Sequence, residues 1–324
     1  MDIRPLGSTG LLVSSIGLGL AALGRPGYIN FGRDVDLGAD RSVAAMERRC
    51  HELLDAAHAA GVRYVDAARS YGLAERFLAS WLESRRTVAR AVTVGSKWGY
   101  RYTGGWRLDA PVHEVKDLSL ETLLLQTTES RALLGDHLRL LQIHSATLES
   151  GVLDDRRVLD QLARLRSEGL SIGLTVSGPR QGDVIRRALG AEVDGVNPFQ
   201  VVQATWNLLE PSSGAALADA KAQGWGVIVK EALANGWLTE RRHERASAPA
   251  RRHAAALGIP LDVLALAAAL SQPWVDIVLS GAVTREQLRG NLAARESIVA
   301  TKGLPSIALP PDQYWARRAA LAWG

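Results

Sequence analysis

"RYVDAARSYGLAE", residues 63–75, carries an apolar strand directly into polar chemistry. Tyr64 and Val65 favour β-structure, and they follow Gly61, which closes a helical pattern. Asp66 stands where that strand should end. A carboxylate is poor core filling unless a positive group meets it. Tyr71 comes five residues later, just before Gly72, and reads as a loop aromatic held in a tight turn. A surface aspartate with an anchoring tyrosine would explain this stretch equally well, so the remainder of the chain has to decide.

Moving outward, strand-like and helix-like segments alternate from end to end. The apolar β-type runs are "SSIGLGLAAL", "RYVDAA", "AVTVGSKWG", "LRLLQIHSA", "SIGLTVSG", "VNPFQVVQATW", "GWGVIVKEAL" and "VDIVLSGA". Between them, "AAMERRCHELLDAAHAAG" places Met46, Cys50, Leu53, Leu54 and Ala57 on one helical face. "DDRRVLDQLARLRSEG" does the same for Val158, Leu159, Leu162 and Leu165. "TREQLRGNLAARESIV" opens with a threonine cap and a glutamine three residues on. Continuous apolarity suits strands buried on both faces, so eight of them alternating with helices predict a parallel α/β fold. At 324 residues the natural closure is a single (β/α)8 TIM barrel spanning residues 1–324. "MDIRPLGSTGLLVSS" reads as an N-terminal β-hairpin that caps the barrel's bottom. The rival is a doubly wound sheet. Its glycine-rich phosphate turn is not matched by "GLGLAALG", whose spacing is wrong.

Composition narrows the class. Hydrophobic residues make up 47% and charged residues 22%, a normal globular balance. A net charge of +4 over this length is no nucleic-acid footprint. "RRHERASAPARRH", residues 241–253, reads as a solvated face, with the mouth of an anionic-ligand site as the alternative. The single cysteine, Cys50, excludes an intrachain disulfide, and no Cys/His cluster has zinc spacing. The start lacks the apolar core of a signal peptide, and "VLALAAAL" is too short to span a bilayer. The expectation is a cytoplasmic protein without membrane or nucleic-acid partners, a monomer or small homo-oligomer. The high Ala, Leu and Arg content points to a bacterial origin.

In such a barrel, chemistry gathers at the C-terminal ends of the strands. There the second strand delivers Asp66 with Tyr71 in the following loop, the third Lys97, and the fourth His144. A buried ammonium beside a phenol favours the phenolate and lowers the phenol pKa from about 10. Lys97 can supply that charge, Asp66 can keep Lys97 ionised, and His144 can orient a substrate oxygen. The set makes a proton donor for a carbonyl becoming an alcohol. Trp98, Tyr100, Tyr102 and Trp106 cluster in the segment 98–119, either as a loop packed on its own aromatics or as the wall of a bulky or cyclic substrate. Tyr28, Phe31 and Trp237 are further wall candidates.

These residues resemble the aldo-keto reductase family. "YVDAARSYG" is similar to its second-strand signature, "SKWG" to its lysine strand and "LQIHSA" to its histidine strand. "IGLTVSG", "VVQATWNLLEP", "GVIVKEALANGWLT" and "SGAVTREQLRGNL" extend the likeness over nearly the whole chain. The resemblance implies a barrel that binds a nicotinamide dinucleotide without a Rossmann domain and transfers hydride. Tyr71 would be the proton donor, with Asp66, Lys97 and His144 completing a tetrad. It implies a cofactor-binding set of Gly19, Leu20, Asp66, Thr175, Gln203, Lys230, Leu233, Gly281, Ala282, Thr284, Gln287 and Asn291. The expected substrate side, read from the aromatic residues and the histidine strand end, is Tyr28, Trp98, Trp106, His144, Trp206 and Trp237. Thr175 falls where the family usually has Ser, Val176 where it has Asn, and Lys230 where it often stacks a Tyr on the nicotinamide. Some members place Lys and Arg near Gly281 and Gln287 to hold a 2′-phosphate. This chain has neither there, though Arg285 is close in sequence. Family habit slightly favours NADP over NAD.

The expected activity is interconversion of a carbonyl and an alcohol. The alternatives are an NAD-dependent sugar hemiacetal dehydrogenase giving a lactone, and a cofactor-binding regulatory subunit with little turnover. A Schiff-base aldolase using Lys97 is a further rival, which Asp66 disfavours by holding the lysine charged.

Overall fold

A computed structural model describes residues 2–29 and 32–323; Phe31 lies outside them. The chain opens with an antiparallel hairpin, β1 (Ile3–Pro5) and β2 (Leu12–Ser14). Eight parallel strands then close a barrel. They are β3 (Ile16–Gly19), β4 (Tyr64–Asp66), β5 (Thr93–Trp98), β8 (Leu138–Ala146), β9 (Ser171–Val176), β10 (Val201–Thr205), β11 (Gly226–Lys230) and β12 (Ile277–Ser280). Each falls within one of the eight apolar runs read from the sequence. A second hairpin, β6 (Tyr100–Tyr102) with β7 (Glu114–Lys116), stands over the mouth. It occupies the interval expected as a loop, because three-residue strands leave too little alternation to detect.

The helices α1 (Arg33–Leu37) and α2 (Val43–Ala59) connect β3 to β4, and α3 (Ala74–Ser84) and α4 (Arg86–Ala89) lead into β5. After β7, α5 (Leu120–Leu134), α6 (Arg156–Ser167), α7 (Gln181–Leu189) and α8 (Gly214–Ala222) precede β8, β9, β10 and β11 in turn. Two helices, α9 (Ala248–Ala256) and α10 (Leu261–Leu270), lead into β12. They are followed by α11 (Arg285–Ala293) and a C-terminal α12 (Pro311–Ala319). The predicted Thr284 cap forms, its Oγ1 accepting from the Gln287 N–H at 3.1 Å, and Ser42 Oγ caps α2 by accepting from the Ala45 N–H at 3.3 Å. The pattern read as one helix from Thr284 onward breaks at Ala293 into a 3-10 segment, Ala294–Thr301.

The hairpin closes the barrel floor. Leu6 is wholly buried and packs with Tyr64, Leu140, Val201, Ile228 and Ile277 on the barrel interior. The Ser8 N–H donates to Gly224 O at 2.8 Å, fixing the hairpin to the segment before β11. Around the strands, the apolar faces of α2 and α6 join the main core through the residues their periodicity named. Leu6→Ala is therefore expected to lower unfolding stability by about 2–5 kcal/mol, read by urea denaturation. The active-site end lies at the opposite mouth, so ligand binding by the folded fraction should be unchanged.

Candidate active site

The floor of the site is a buried ion pair. Lys97, on β5, binds the Asp66 carboxylate of β4, and its Nζ also donates to Ala67 O at 2.9 Å. Lys97 is 1% and Asp66 2% exposed, so each charge depends on the other and on added hydrogen bonds. Those reach Asp66 Oδ1 from the Tyr64 hydroxyl at 3.2 Å and the Gln203 amide at 3.0 Å. Tyr64 lies two residues before Asp66 and so shares its inward face. A Cβ on Gly95 of the neighbouring strand would sit 2.3 Å from the Tyr64 hydroxyl oxygen. Glycine there gives the phenol its room.

Tyr71 is placed by two glycines. Gly72 has φ +61°, and a Cβ there would lie 2.4 Å from Gly24 O. A Cβ on Gly24 would in turn lie 2.2 Å from Tyr71 O. The loop after β4 thus rests backbone to backbone on the loop after β3, with the Leu73 N–H donating to Gly24 O at 2.7 Å. Lys97 Nζ lies 4.8 Å from the centre of the Tyr71 ring, and the His144 ring meets it edge-on at 5.5 Å. His144 sits where the β8–β9 ladder shifts register between Ile143 and Ala146. Its Nδ1 is 3.3 Å from Ser70 Oγ, and Tyr100 of β6 packs 4.9 Å from its ring. The structure brings all four tetrad residues together.

The electrostatics differ from the expected balance. Burial pushes the Tyr71 phenol well above its ordinary value, and Asp66 adds to it. Lys97 Nζ faces the ring, and among the described residues its hydrogen bonds go to Asp66 and Ala67, not to the phenol. Tyr71 therefore rests as a neutral phenol. Burial, followed by Lys97 and Arg25, holds the His144 imidazole well below its usual range, so it is neutral too.

A cavity of about 690 Å³ runs from Asp66 and Tyr71 to the N-terminus of α11. Its wall includes Gly19, Gln203, Lys230, Leu233, Gly281, Ala282, Thr284, Gln287 and Asn291, all named from the sequence. Leu20 and Thr175 stand behind it. The Leu20 N–H donates to Asp66 O at 2.9 Å, and the Thr175 hydroxyl accepts from the Ser145 N–H at 2.7 Å. Val176 is buried in the core. Lys230 Nζ donates to Thr205 Oγ1 at 2.9 Å. Burial, opposed by Glu231 and aided by Arg318 and Lys97, brings its ammonium down to about 8. Burial works against the Glu231 carboxylate, but Arg318 and Lys230 outweigh it and bring it to about 2. At the outer end, Arg241 clasps Asp36 through two bonds of 2.6 and 2.5 Å, and the Gln287 amide adds a third at 2.8 Å.

The expected aromatic wall is mostly absent from this cavity. Tyr28 lines it. Trp98 is wholly buried in the core, and Trp206 packs on Trp274 at 5.9 Å. Trp237 packs on Tyr314 at 5.7 Å. Trp106 donates from Nε1 to Arg41 O at 2.8 Å and borders a separate surface cleft with Leu108. These indoles pack between elements and do not line the cavity. Sequence reasoning missed Tyr64, Arg25, Glu231 and Arg318. Adjacency to named positions was the available signal for Tyr64 and Glu231, whereas Arg25 and Arg318 carried none. It also missed Glu75, a buried carboxylate that accepts from Arg69 at 2.6 Å, Ser96 at 2.5 Å and Ser130 at 2.7 Å beside the lysine strand.

The aldo/keto reductase family model matches residues 15–303. The chain belongs to the aldo/keto reductase family. An L-galactose dehydrogenase of Arabidopsis thaliana is 27% identical, covering 91% of this chain and 88% of the relative. An uncharacterised oxidoreductase of Bacillus subtilis is 22% identical over 91% of both chains. Among solved structures, a putative aldo-keto reductase from Pseudomonas aeruginosa superposes with TM-score 0.64 at 25% identity, covering 93% of this chain and 96% of that one. The holo form of an aldo-keto reductase from Bacillus halodurans superposes with TM-score 0.69 at 22% identity, covering 98% and 96%.

In this aldo/keto reductase, Asp66→Asn should lower stability by about 3–5 kcal/mol, because it leaves the Lys97 charge buried without its counter-ion. Adding Lys97→Met removes that charge, and the double variant should regain part of the loss. Thermal unfolding of the two variants reads both effects.

Proposed function

We propose that the protein interconverts a carbonyl and an alcohol with NAD(H), Tyr71 moving the proton. The carrying observation is the buried Lys97–Asp66 pair set beneath Tyr71 at the inner end of a long cavity. The cavity fits a dinucleotide on its own features. Its volume is in the range of ligand pockets, Gly19, Ala22, Gly281 and Gly290 line it, and the α11 N-terminus suits a phosphate. Gln203 and Lys230 would hold the inner end, and Ala282, Thr284 and Asn291 the outer. Bound there, the dinucleotide would supply or accept the hydride.

The chain's own groups handle the proton. As a neutral phenol, Tyr71 gives its proton to a carbonyl oxygen as that oxygen gains charge, and Lys97 stabilises the phenolate left behind. His144, neutral, offers a hydrogen bond to the same oxygen. Lys97 spends its hydrogen bonds on Asp66 and Ala67 O, which supports this reading over imine formation at its amine.

The acidic outer wall favours NAD over NADP, against family habit. Glu240, Asp262 and Glu286 line it, and Arg241 is engaged with Asp36. Arg285, the one candidate to compensate for the missing cations, is not among the lining residues. A 2′-phosphate wants charge-assisted donors and would here meet carboxylates. A second reading narrows the substrate. The wall beside Tyr71 is polar, with Tyr28, Lys230 and Glu231, which supports a polyhydroxylated hemiacetal oxidised to a lactone. The 27% identical relative is itself named for L-galactose.

Tryptophan fluorescence titration tests the reading. NADH should bind at least tenfold tighter than NADPH, and Tyr71→Phe should retain binding while losing turnover of aldehydes and aldoses. Failure of both nucleotides to bind at micromolar levels would remove the hydride-transfer reading. Lys230 sets a further outcome. Its ammonium disfavours the cationic oxidised ring, so NAD⁺ should bind more tightly as pH rises through about 8. In Lys230→Met that dependence should vanish.

A further inference from the structure

A second buried cation borders Tyr71. Arg25, in the loop after β3, is 2% exposed, and its Cζ lies 5.3 Å from the Tyr71 ring centre, against 4.8 Å for Lys97 Nζ. The guanidinium is fixed by donation to Ala21 O and Ser70 O, each at 3.2 Å, and to Glu114 Oε2 at 2.9 Å. The rings of Tyr28 and Trp323 lie 4.9 and 4.6 Å from it. Glu114, on β7, is its carboxylate partner among the described residues, and that side chain is 26% exposed. An arginine keeps its proton in proteins, so the charge beside the phenol is permanent. Glu114 opposes it from a more exposed position and is partly screened by water.

We propose that Arg25 and Glu114 are positioning residues outside the tetrad that set how readily Tyr71 releases its proton, Arg25 favouring release and Glu114 opposing it. This rests on Tyr71 as the proton-moving group. The other charges and titratable groups around Tyr71 are Tyr64 and Asp66 on β4, Lys97 on β5, His144 on β8, Lys230 and Glu231 at the end of β11, Arg318 on α12 and Tyr28. They are common to every variant below. The electrostatic balance at the phenol agrees in sign: after burial and Asp66, Arg25 pulls its pKa down, and Glu114 pushes it up. If Arg25 merely stapled the β3 loop to the β6–β7 hairpin, its charge would not matter to Tyr71.

The experiment measures the ultraviolet phenolate band of the cofactor-free protein against pH, subtracting Tyr71→Phe. Arg25→Gln should raise the Tyr71 midpoint by about one pH unit, about tenfold less phenolate at a fixed alkaline pH. Arg25→Lys, which keeps a cation, should stay near wild type. Glu114→Gln, which keeps a hydrogen-bond acceptor for Arg25 but removes the carboxylate charge, should move the midpoint the opposite way. The pH profile of alcohol oxidation should shift in the same sense. Shifts in one common direction, or an unmoved midpoint in Glu114→Gln, would overturn the proposal. Turnover retained in Tyr71→Phe would instead overturn the proton-donor role while leaving the phenolate shifts to judge the Arg25–Glu114 pair.

Discussion

A lysine and an aspartate, both buried to within a few per cent, meet across two adjacent parallel strands, and the rest of the site is arranged around that contact. Two charges withdrawn from water are tolerated only when they neutralise each other and their remaining valences are filled. Here the barrel interior provides the filling. Tyr64 rises from the same strand, Gln203 reaches across from β10, and Gly95 leaves the gap that Tyr64 needs. Beneath them the hairpin's Leu6 seals the floor, so the pair lies on a dry platform. This end of the barrel is therefore a polar layer resting on an apolar one.

That layer explains why an acid ends the second strand and why a tyrosine follows at a glycine. Asp66 anchors the ammonium, and the Gly24–Gly72 backbone contact presses the β4 loop down until Tyr71 covers it. Burial dominates the outcome. The ammonium next to the ring does not make Tyr71 a standing phenolate, since its protons are directed at Asp66 and a carbonyl. It stands where it would meet the negative charge that the proposed proton transfer leaves on the phenol.

The barrel was legible because buried parallel strands advertise themselves as continuous apolar runs and amphipathic helices as spaced ones. All eight strands fall inside the runs read for them. The clustering of Asp66, Tyr71, Lys97 and His144 was legible because polar groups at the ends of such runs need an explanation. Short elements were not. The β6–β7 hairpin is two three-residue strands, and α12 has only Tyr314 and Trp315 to bury. Aromatic residues misled for a related reason. Trp98 and Trp206 occur in motifs that face the site, but alternation along a strand turns neighbouring side chains in opposite directions, and indoles are also efficient core filling. Arg25 left no trace because its partners come from residues 45 and 89 positions away, a contact that only the closed fold creates.

The clasp on Asp36 has a consequence for how the cavity communicates with solvent. Arg241 and Gln287 reach it from segments more than 200 residues away in the chain, so the outer mouth is crossed by groups that no strand of the barrel joins. It can part without any strand separating. Arg241 is 40% exposed, and ionic strength weakens exposed pairs far more than buried ones. Ionic strength should thus act on the Asp36 clasp more than on the fully buried Lys97–Asp66 pair, so the cavity's outer rim and the platform at its inner end depend on salt to different degrees.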